Sequence, residues 1–508
     1  MFCKLINYTL KGLSPLEIQV EVDLNNGLPA FDIVGLPDSS VKESKERVRS
    51  AIKNSGFTFP ISRITVNLAP ANVKKEGSLY DLPIALAILA CSGIVPLEKL
   101  NNFICFGELA LDGKLRSFKQ LFPILCTLYN LPHLNEHYFI VPSSAKPQLS
   151  ALNSKNILYA DNLLDIVKFF SQGSPLEENQ YIENLQLKQA DYPDFMHIYG
   201  QECAKHALLT AACGNHNVLL IGPPGSGKTL LSRSFPALFP PLSLEEAIEL
   251  TQIYSLADLA PQNELLTNRP FRSPHHTITA QALCGGGSNP KPGEITLSHL
   301  GILFLDELLE FNKKTLEILR QPLESKNITI SRAQQNVTYP ADFLLIASTN
   351  PCPCGYYPDT RKCNCSMPLV KKYLQKLSGP LLDRIDLHIE TKAVNSLQLQ
   401  QKKSLSTHEM IESLQIGNER QRHRFKHKSN FYNSHMSAVE INEFCTLTKT
   451  AEMLLNTWFE TSPHSMRSYH KILKLSRTIA DIEDFDIIQD SHIAQAIQYR
   501  SLDHSFWE

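Results

Sequence analysis

The chain has 508 residues, enough at roughly 150 per domain for about three domains, so a single small module is excluded. With 43% apolar and 20% charged residues it has the balance of a folded globular protein rather than a disordered one. Its 49 basic and 51 acidic side chains leave a net charge of −2, so any nucleic-acid-binding surface has to be local, because the field of the whole chain would not attract a polyanion.

The opening segment, MFCKLINYTLKGLSP, lacks the apolar stretch and cleavage site of a secretory signal. The longest apolar run, residues 82–97, is broken by Pro83, Ser92, Gly93 and Pro96 and is too short to cross a bilayer. A cytoplasmic protein without a membrane partner is expected. Residues 1–170 mix β-rich runs at 18–22, 61–68 and 138–141 with two helical patterns, which predicts an α+β domain. The polar stretch 171–194 has the composition of a linker. From 195 to 390 the pattern is strand, glycine loop, helix and later strands, which predicts an α/β domain with a parallel sheet. Residues 391–508 carry helical spacing, such as Leu473, Leu475, Ile479 and Ile482, and predict a helical lid.

The chemistry is concentrated in the middle segment. Val218-Leu219-Leu220-Ile221 reads as a buried strand. It leads into Gly222-Pro223-Pro224-Gly225-Ser226-Gly227-Lys228-Thr229 and a helix opening at Leu230, which is GxxxxGK[ST] in its strand–loop–helix context. Glycines let backbone N–H groups curl around phosphates, Lys228 sets a cation against them, and the Thr229 hydroxyl can reach a magnesium ion. A second apolar strand, 301–305, ends in Asp306 and Glu307: one acid to hold magnesium, the other to orient and deprotonate an attacking water. A third, 343–348, delivers Thr349 and Asn350, whose amide can bond the γ-phosphate or the water. ATP and Mg2+ are therefore the expected ligands. Twelve cysteines do not make a disulfide scaffold, but Cys352, Cys354, Cys363 and Cys365 crowd together as two CxC pairs. They suit a structural zinc site, with four reduced thiols as the alternative.

These three strands resemble the Walker A, Walker B and sensor 1 strands of an AAA+ ATPase. The stretch FRSPHHTITAQALCGGGSNPKPGEITLSHLGILFLDEL resembles the helix-2-insert branch, which holds magnesium-chelatase motor subunits and MCM helicases. The blocks GQECAKHALLTAACGNHNVLLIGPPGSGKT, FRSPHHTI, NPCPCGYYPDTRKCNC, SGPLLDRIDLH and RSYHKILKLSRTIAD, spread over residues 195–500, are more narrowly similar to the ComM/YifB family of magnesium-chelatase-like proteins. The resemblance implies that Arg384 is inserted into a neighbouring subunit's site, with a pairing to Asp383 or Asp386 as its alternative. It implies that Arg467 is the sensor 2 arginine reporting the γ-phosphate to the lid, with Arg477 as a rival. Ile198, Tyr199 and Gly200 sit where the family packs adenine, or form a turn before a helix. It also implies a homo-oligomeric ring, a hexamer, and helicase and branch-migration activity on single-stranded or branched DNA during integration of DNA taken up by transformation, together with recombination proteins. A chelatase motor subunit that remodels a partner protein is the alternative.

Residues 1–170 resemble the Lon-protease-like domain, of ribosomal S5 fold type, that precedes the ATPase in this family. Leu79 stands at the nucleophile position and the lysine position falls near Phe122, so a peptidase is not expected, and Ser78 with Lys119 is a weak substitute pair. The segment 328–339 reads as two short strands around a polar tip, placed where MCM-like motors carry a pore hairpin. Arg332, with Arg272, His275, His276 and Lys291 of the insert, are the candidates for gripping DNA phosphates, each also explicable as a surface or interface residue. The basic run 420–428 reads as a solvated helix face or a further contact.

Overall fold

A computed structural model describes residues 1–182, 191–261, 264–287, 290–332, 335–393, 404–426, 428, 431–461 and 465–500. The chain forms two compact units, one of residues 1–187 with 242–267, the other of residues 188–241 with 268–508.

In the first unit β1 (Phe2–Lys11) and β2 (Ser14–Asn25) form a hairpin whose two-residue turn uses Gly12 at φ 61°. β3 (Ala30–Val34) and β4 (Arg63–Ala69) complete a sheet in the order β1-β2-β4-β3, antiparallel except for β3 beside β4. Alternation along the strands turns Ile18, Val20 and Val22, and Ile64, Val66 and Leu68, to a single face. That face shares a core with α1 (Ser39–Asn54), capped by the Asp38 carboxylate, and α2 (Asp81–Cys91), which is buried along its whole length. Asp81 is buried and accepts two hydrogen bonds from the Arg47 guanidinium, at 2.6 and 3.0 Å. A second sheet sets Phe103–Cys105, Tyr138–Pro142 and Ile157–Ala160 in parallel.

The expected linker 171–194 is partly structured. Leu163–Gln172 is a helix, and Glu177–Glu178 pairs with the strand Ile157–Ala160. Asn179 is buried there, donating to the carbonyls of Leu152 and Ser154. Polar composition hid this, because the ordering comes from backbone pairing and one amide rather than from apolar side chains. The helix Leu244–Leu256 also lies in the first unit although it follows the glycine loop in sequence. Lys119 pairs with Asp258 at 3.5 Å, and the Gln148 amide donates to the Glu264 carbonyl at 2.8 Å.

The second unit is built on five parallel strands. Their order in space is Phe271–Arg272, Ile302–Leu305, Leu344–Thr349, Val218–Ile221, Leu387–Glu390. The glycine-loop strand is thus flanked by two strands that come much later in the chain. This is the crevice at which open α/β sheets bind ligands, outside the carboxyl ends of the strands. Three of the strands are buried throughout, which is why Val218–Ile221 and Ile302–Leu305 read as unbroken apolar runs and Leu344–Thr349 as one up to Ala347. The carboxy-terminal helices Thr407–Arg424, Ala438–Phe444, Lys449–Thr461, Met466–Ile482 and Asp490–Gln498 share one hydrophobic core with this sheet, so the expected lid has no core of its own.

Candidate nucleotide-binding site

The phosphate loop leaves the buried strand Val218–Ile221 and enters the helix Lys228–Ser234 with Gly225 at φ 76° and Gly227 at φ 88°. A side chain would strain both positions, and the absence of one leaves the amides free to converge on an anion. Lys228 donates to the carbonyls of Gly222 at 2.7 Å and Pro223 at 2.9 Å, and to Asn350 Oδ1 at 3.3 Å. Burial pulls its pKa down to about 8, against the opposing pull of Asp306 and Glu307.

Thr229 donates to Asp306 at 3.0 Å, and Ser348 donates to the other oxygen of that carboxylate. A hydroxyl and a half-buried carboxylate are the hard oxygen donors that suit a partly hydrated magnesium ion. Glu307 is exposed and adopts left-handed backbone geometry, φ 52°, which is strained for a non-glycine residue. Its carboxylate lies 3.6 Å from His276 Nδ1. The sequence-predicted groups therefore form two hydrogen-bonded pairs, Lys228 with Asn350 and Thr229 with Asp306, and the Glu307 N–H donates to the Asp306 carboxylate at 3.0 Å.

Two residues that sequence reasoning missed strap the loop from outside. Thr391 is fully buried; its N–H donates to Ile221 at 2.7 Å and its hydroxyl meets Ser226 Oγ at 2.8 Å. The Gln201 amide donates to the Ser226 carbonyl at 3.0 Å and to Lys392 at 2.7 Å. No motif marks Thr391. Gln201 stands inside one of the blocks that carried the resemblance but was given no role. Beside it, Ile198 is buried, Tyr199 is exposed, and Gly200 turns at φ 70°. Leu230, at the first turn of the helix, is also exposed.

Arg384 and Arg467 stand elsewhere. Asn217, just before the glycine-loop strand, donates its N–H to Asp386 at 2.9 Å and its side-chain amide to the Arg384 carbonyl at 3.3 Å. Arg384 thus lies at the amino edge of the sheet, whereas the phosphate loop is at the carboxyl edge, about 13 Å of strand away. Its guanidinium pairs with Glu324 at 2.7 Å rather than with Asp383 or Asp386. Arg467 binds the same Glu324 and lies 3.5 Å from Asp383. Both arginines line a cavity of about 650 Å³ with Lys326, His470, Lys471 and Lys474. The rival Arg477 is 1% exposed, held by Asp481 and by the carbonyls of Phe485 and Asp486, and has no reach to a nucleotide.

The DNA candidates divide. The segments Asn327–Arg332 and Gln335–Pro340 form an antiparallel hairpin; its tip and the Arg332 side chain lie outside the described residues. Arg272 forms a two-pronged pair with Glu294 at 2.6 and 2.7 Å, an arrangement that fixes the insert. His275 and Lys291 are exposed, and His276 faces Glu307. The basic run 420–428 is largely spent inside the fold: Arg420 pairs with Asp484 and Asp486, Arg424 with buried Asp481, and Lys428 with Glu440. In the first unit Leu79 is buried, Ser78 donates to Glu108 and Lys119 pairs with Asp258, so the substitute peptidase pair does not form.

The chain is similar to known proteins along most of its length. Residues 194–399 match the family "Magnesium chelatase, subunit ChlI", residues 20–145 "Subunit ChlI of Mg-chelatase", and residues 404–500 "Magnesium chelatase, subunit ChlI C-terminal". The chain is 40% identical over 496 residues to "Uncharacterized protein YifB" of Escherichia coli, covering 97% of this chain and 96% of the relative. It is 40% identical over 500 residues to "Competence protein ComM" of Haemophilus influenzae, with the same coverage. The chain belongs to the ComM/YifB family of magnesium-chelatase-like AAA+ proteins. Its membership accounts for the whole length rather than the phosphate loop alone. The similarity to the "Magnesium-chelatase 38 kDa subunit" of Rhodobacter capsulatus is narrower, 25% over 177 residues, or 31% of this chain and 50% of that one. No described helix is long and apolar enough to cross a membrane.

Proposed function

We propose that this ComM/YifB-family chain is an ATP hydrolase that works as a ring-shaped DNA motor, a helicase that drives branch migration while incoming DNA is integrated by recombination. The observation that carries the ring is the placement of Arg384 and Arg467. Both guanidinium groups sit at the edge of the sheet away from their own phosphate loop, so they serve a nucleotide only if another subunit presents it. Sensor 2 is accordingly a group acting between subunits here, next to Arg384.

In the assembled ring Lys228 and the loop amides hold the β- and γ-phosphates. Thr229 and Asp306 would hold magnesium, which supplies charge neutralisation to the phosphates. Asn350 positions the γ-phosphate or the water, and Glu307 takes the proton of that water. His276, beside Glu307 and at the start of the insert, links the hydrolytic base to the segment that includes the DNA candidates. Arg384 from the neighbour then stabilises charge spread over the transferring phosphoryl oxygens. Glu324 neutralises both arginines in the separate subunit, and the arriving phosphate replaces it. The first unit is read as a Lon-like module without peptidase function that assembles the ring or contacts nucleic acid.

Support for DNA as the substrate comes from the similarity to a competence protein and from the hairpin of Asn327–Arg332 and Gln335–Pro340, a β-ribbon with Ile328, Ile330, Val337 and Tyr339 buried and Thr329 and Thr338 paired across its exposed face. The partial similarity to a chelatase subunit favours the second reading, a motor that remodels a partner protein. Incubation with ATP and labelled three- and four-way DNA junctions separates the two. The DNA motor displaces or exchanges strands and hydrolyses ATP faster with DNA. Absence of both effects, with basal hydrolysis intact, supports the partner-remodelling motor and ends the DNA reading.

A further inference from the structure

Between Thr349 and Met367 the chain forms no helix or strand, yet it is not loosely arranged. Cys352 Sγ lies 3.3 Å from Cys354 Sγ and 3.7 Å from Cys363 Sγ, and the latter two are 3.5 Å apart. With Cys365, all four sulfurs fall within 4.8 Å of one another. Four thiolates at 2.3 Å from one tetrahedral ion stand about 3.8 Å apart, whereas a disulfide would require about 2.05 Å. Separations this short suit one ion shared by all four sulfurs, whereas an iron–sulfur cluster divides its four cysteines between two or four irons and holds the sulfurs of different irons farther apart. Soft sulfur donors in a closed tetrahedral set suit zinc. The Tyr357 N–H donates to Cys352 Sγ at 3.4 Å, and Cys352 is fully buried, so one ligand is oriented by the backbone around it.

The same loop touches the nucleotide site. Gly355, one residue past Cys354, has φ 86°, and a Cβ there would lie 2.7 Å from Pro224 Cδ and 3.8 Å from Asn350 Cγ. Its bare backbone therefore rests against the phosphate loop and against the residue that holds Lys228. Its N–H donates to the Cys352 carbonyl at 2.9 Å, which closes the turn between the first two ligands. In a segment without helix or strand, a metal ion bound by the four thiolates would fix this turn.

We propose that Cys352, Cys354, Cys363 and Cys365 bind one zinc ion, and that this ion buttresses the phosphate loop through Gly355, so that nucleotide affinity depends on metal occupancy. The proposal rests on the nucleotide reading above and adds a metal-dependent control to it. The full chain, purified in the presence of zinc and without chelating resin, is expected to hold one zinc per chain by mass spectrometry. Cobalt in its place gives the visible bands of a tetrahedral four-thiolate site. Stripping with a strong chelator under reducing conditions weakens binding of a fluorescent ADP analogue by about tenfold, and one equivalent of zinc restores it.

Because cysteine variants can misfold, Gly355→Ala serves as the second probe. It keeps every thiol and the full zinc content but loses nucleotide affinity by a similar factor. Zinc at trace levels with four titratable thiols overturns the site. Unchanged nucleotide affinity in the stripped chain, or in Gly355→Ala, overturns the coupling. If the zinc-loaded chain binds no nucleotide at all, the nucleotide reading itself fails, a result distinguishable from either.

Discussion

Gly222→Ala tests how the phosphate loop is held. A methyl group there would point at the hydroxyl and the backbone carbonyl of Thr391, more than about 1 Å inside van der Waals contact with each. Thr391 has no room to retreat. It is fully buried, its N–H bonds Ile221, and its hydroxyl bonds Ser226. The loop must therefore move by about 1 Å, a displacement that costs on the order of a hundredfold in turnover when it falls on groups that position a reacting phosphate. Overpacking of this kind also destabilises by about 1–3 kcal/mol, or a few degrees in melting temperature for a unit of this size. Gly379→Ala is the control, since nothing lies within 4 Å of a Cβ at that position. Titration with a fluorescent nucleotide and single-turnover hydrolysis measure the effect. Equal affinity and turnover in the Gly222 and Gly379 variants would show that the strap by Thr391 is irrelevant to the site.

Glu307→Gln is expected to bind ATP about as tightly as the parent and to hydrolyse it at least about a hundredfold more slowly, because the base is lost while the phosphate contacts remain; an unchanged turnover number refutes that role. Burial pulls the Lys228 ammonium down to about 8, below the ordinary lysine value, so above about pH 8 it is neutral unless a neighbouring phosphate restores its charge. Nucleotide binding near pH 9 should therefore take up a proton, and affinity should fall as pH rises through about 8. Calorimetry in buffers of different ionisation enthalpy checks this, and binding with no buffer dependence contradicts it. Burial holds His216 at about 4 despite the opposing effect of Asp386, so the folded state binds its proton less readily than the unfolded chain does. The stability this represents is complete above the ordinary histidine range and is lost as pH falls from about 6.5 toward 4. Thermal melts across that window should show it, and a flat melting temperature argues against it.

How much of this was visible in the sequence follows from which forces act locally. The strands Val218–Ile221 and Ile302–Leu305 were legible because full burial forces unbroken apolar runs, and the loop between strand and helix was legible because phosphate binding demands glycine at fixed spacing. The four-cysteine cluster declared itself by composition. The strap on the phosphate loop did not, because Thr391 is an ordinary residue whose role comes from lying beside Ile221 and Ser226 in a parallel pairing made 170 positions away. The sharing of Glu324 by Arg384 and Arg467 was equally hidden, since it joins three distant segments. The basic run 420–428 misled in the other direction. Its charges look free in sequence, but Asp481, Asp484, Asp486 and Glu440 take up most of them.

In the ring proposed above, hydrolysis requires an arginine from a second subunit, and mixing two dead variants puts that requirement to the test. Lys228→Ala lacks a working pocket but keeps Arg384; Arg384→Ala keeps its pocket but has no arginine to lend. Each should be nearly inactive alone. Combined in equal amounts with DNA, about one in four random interfaces joins an intact pocket to an intact arginine, so roughly a quarter of the parent rate should return. A mixture that co-assembles yet stays as inactive as its parts, at every ratio, would contradict the account.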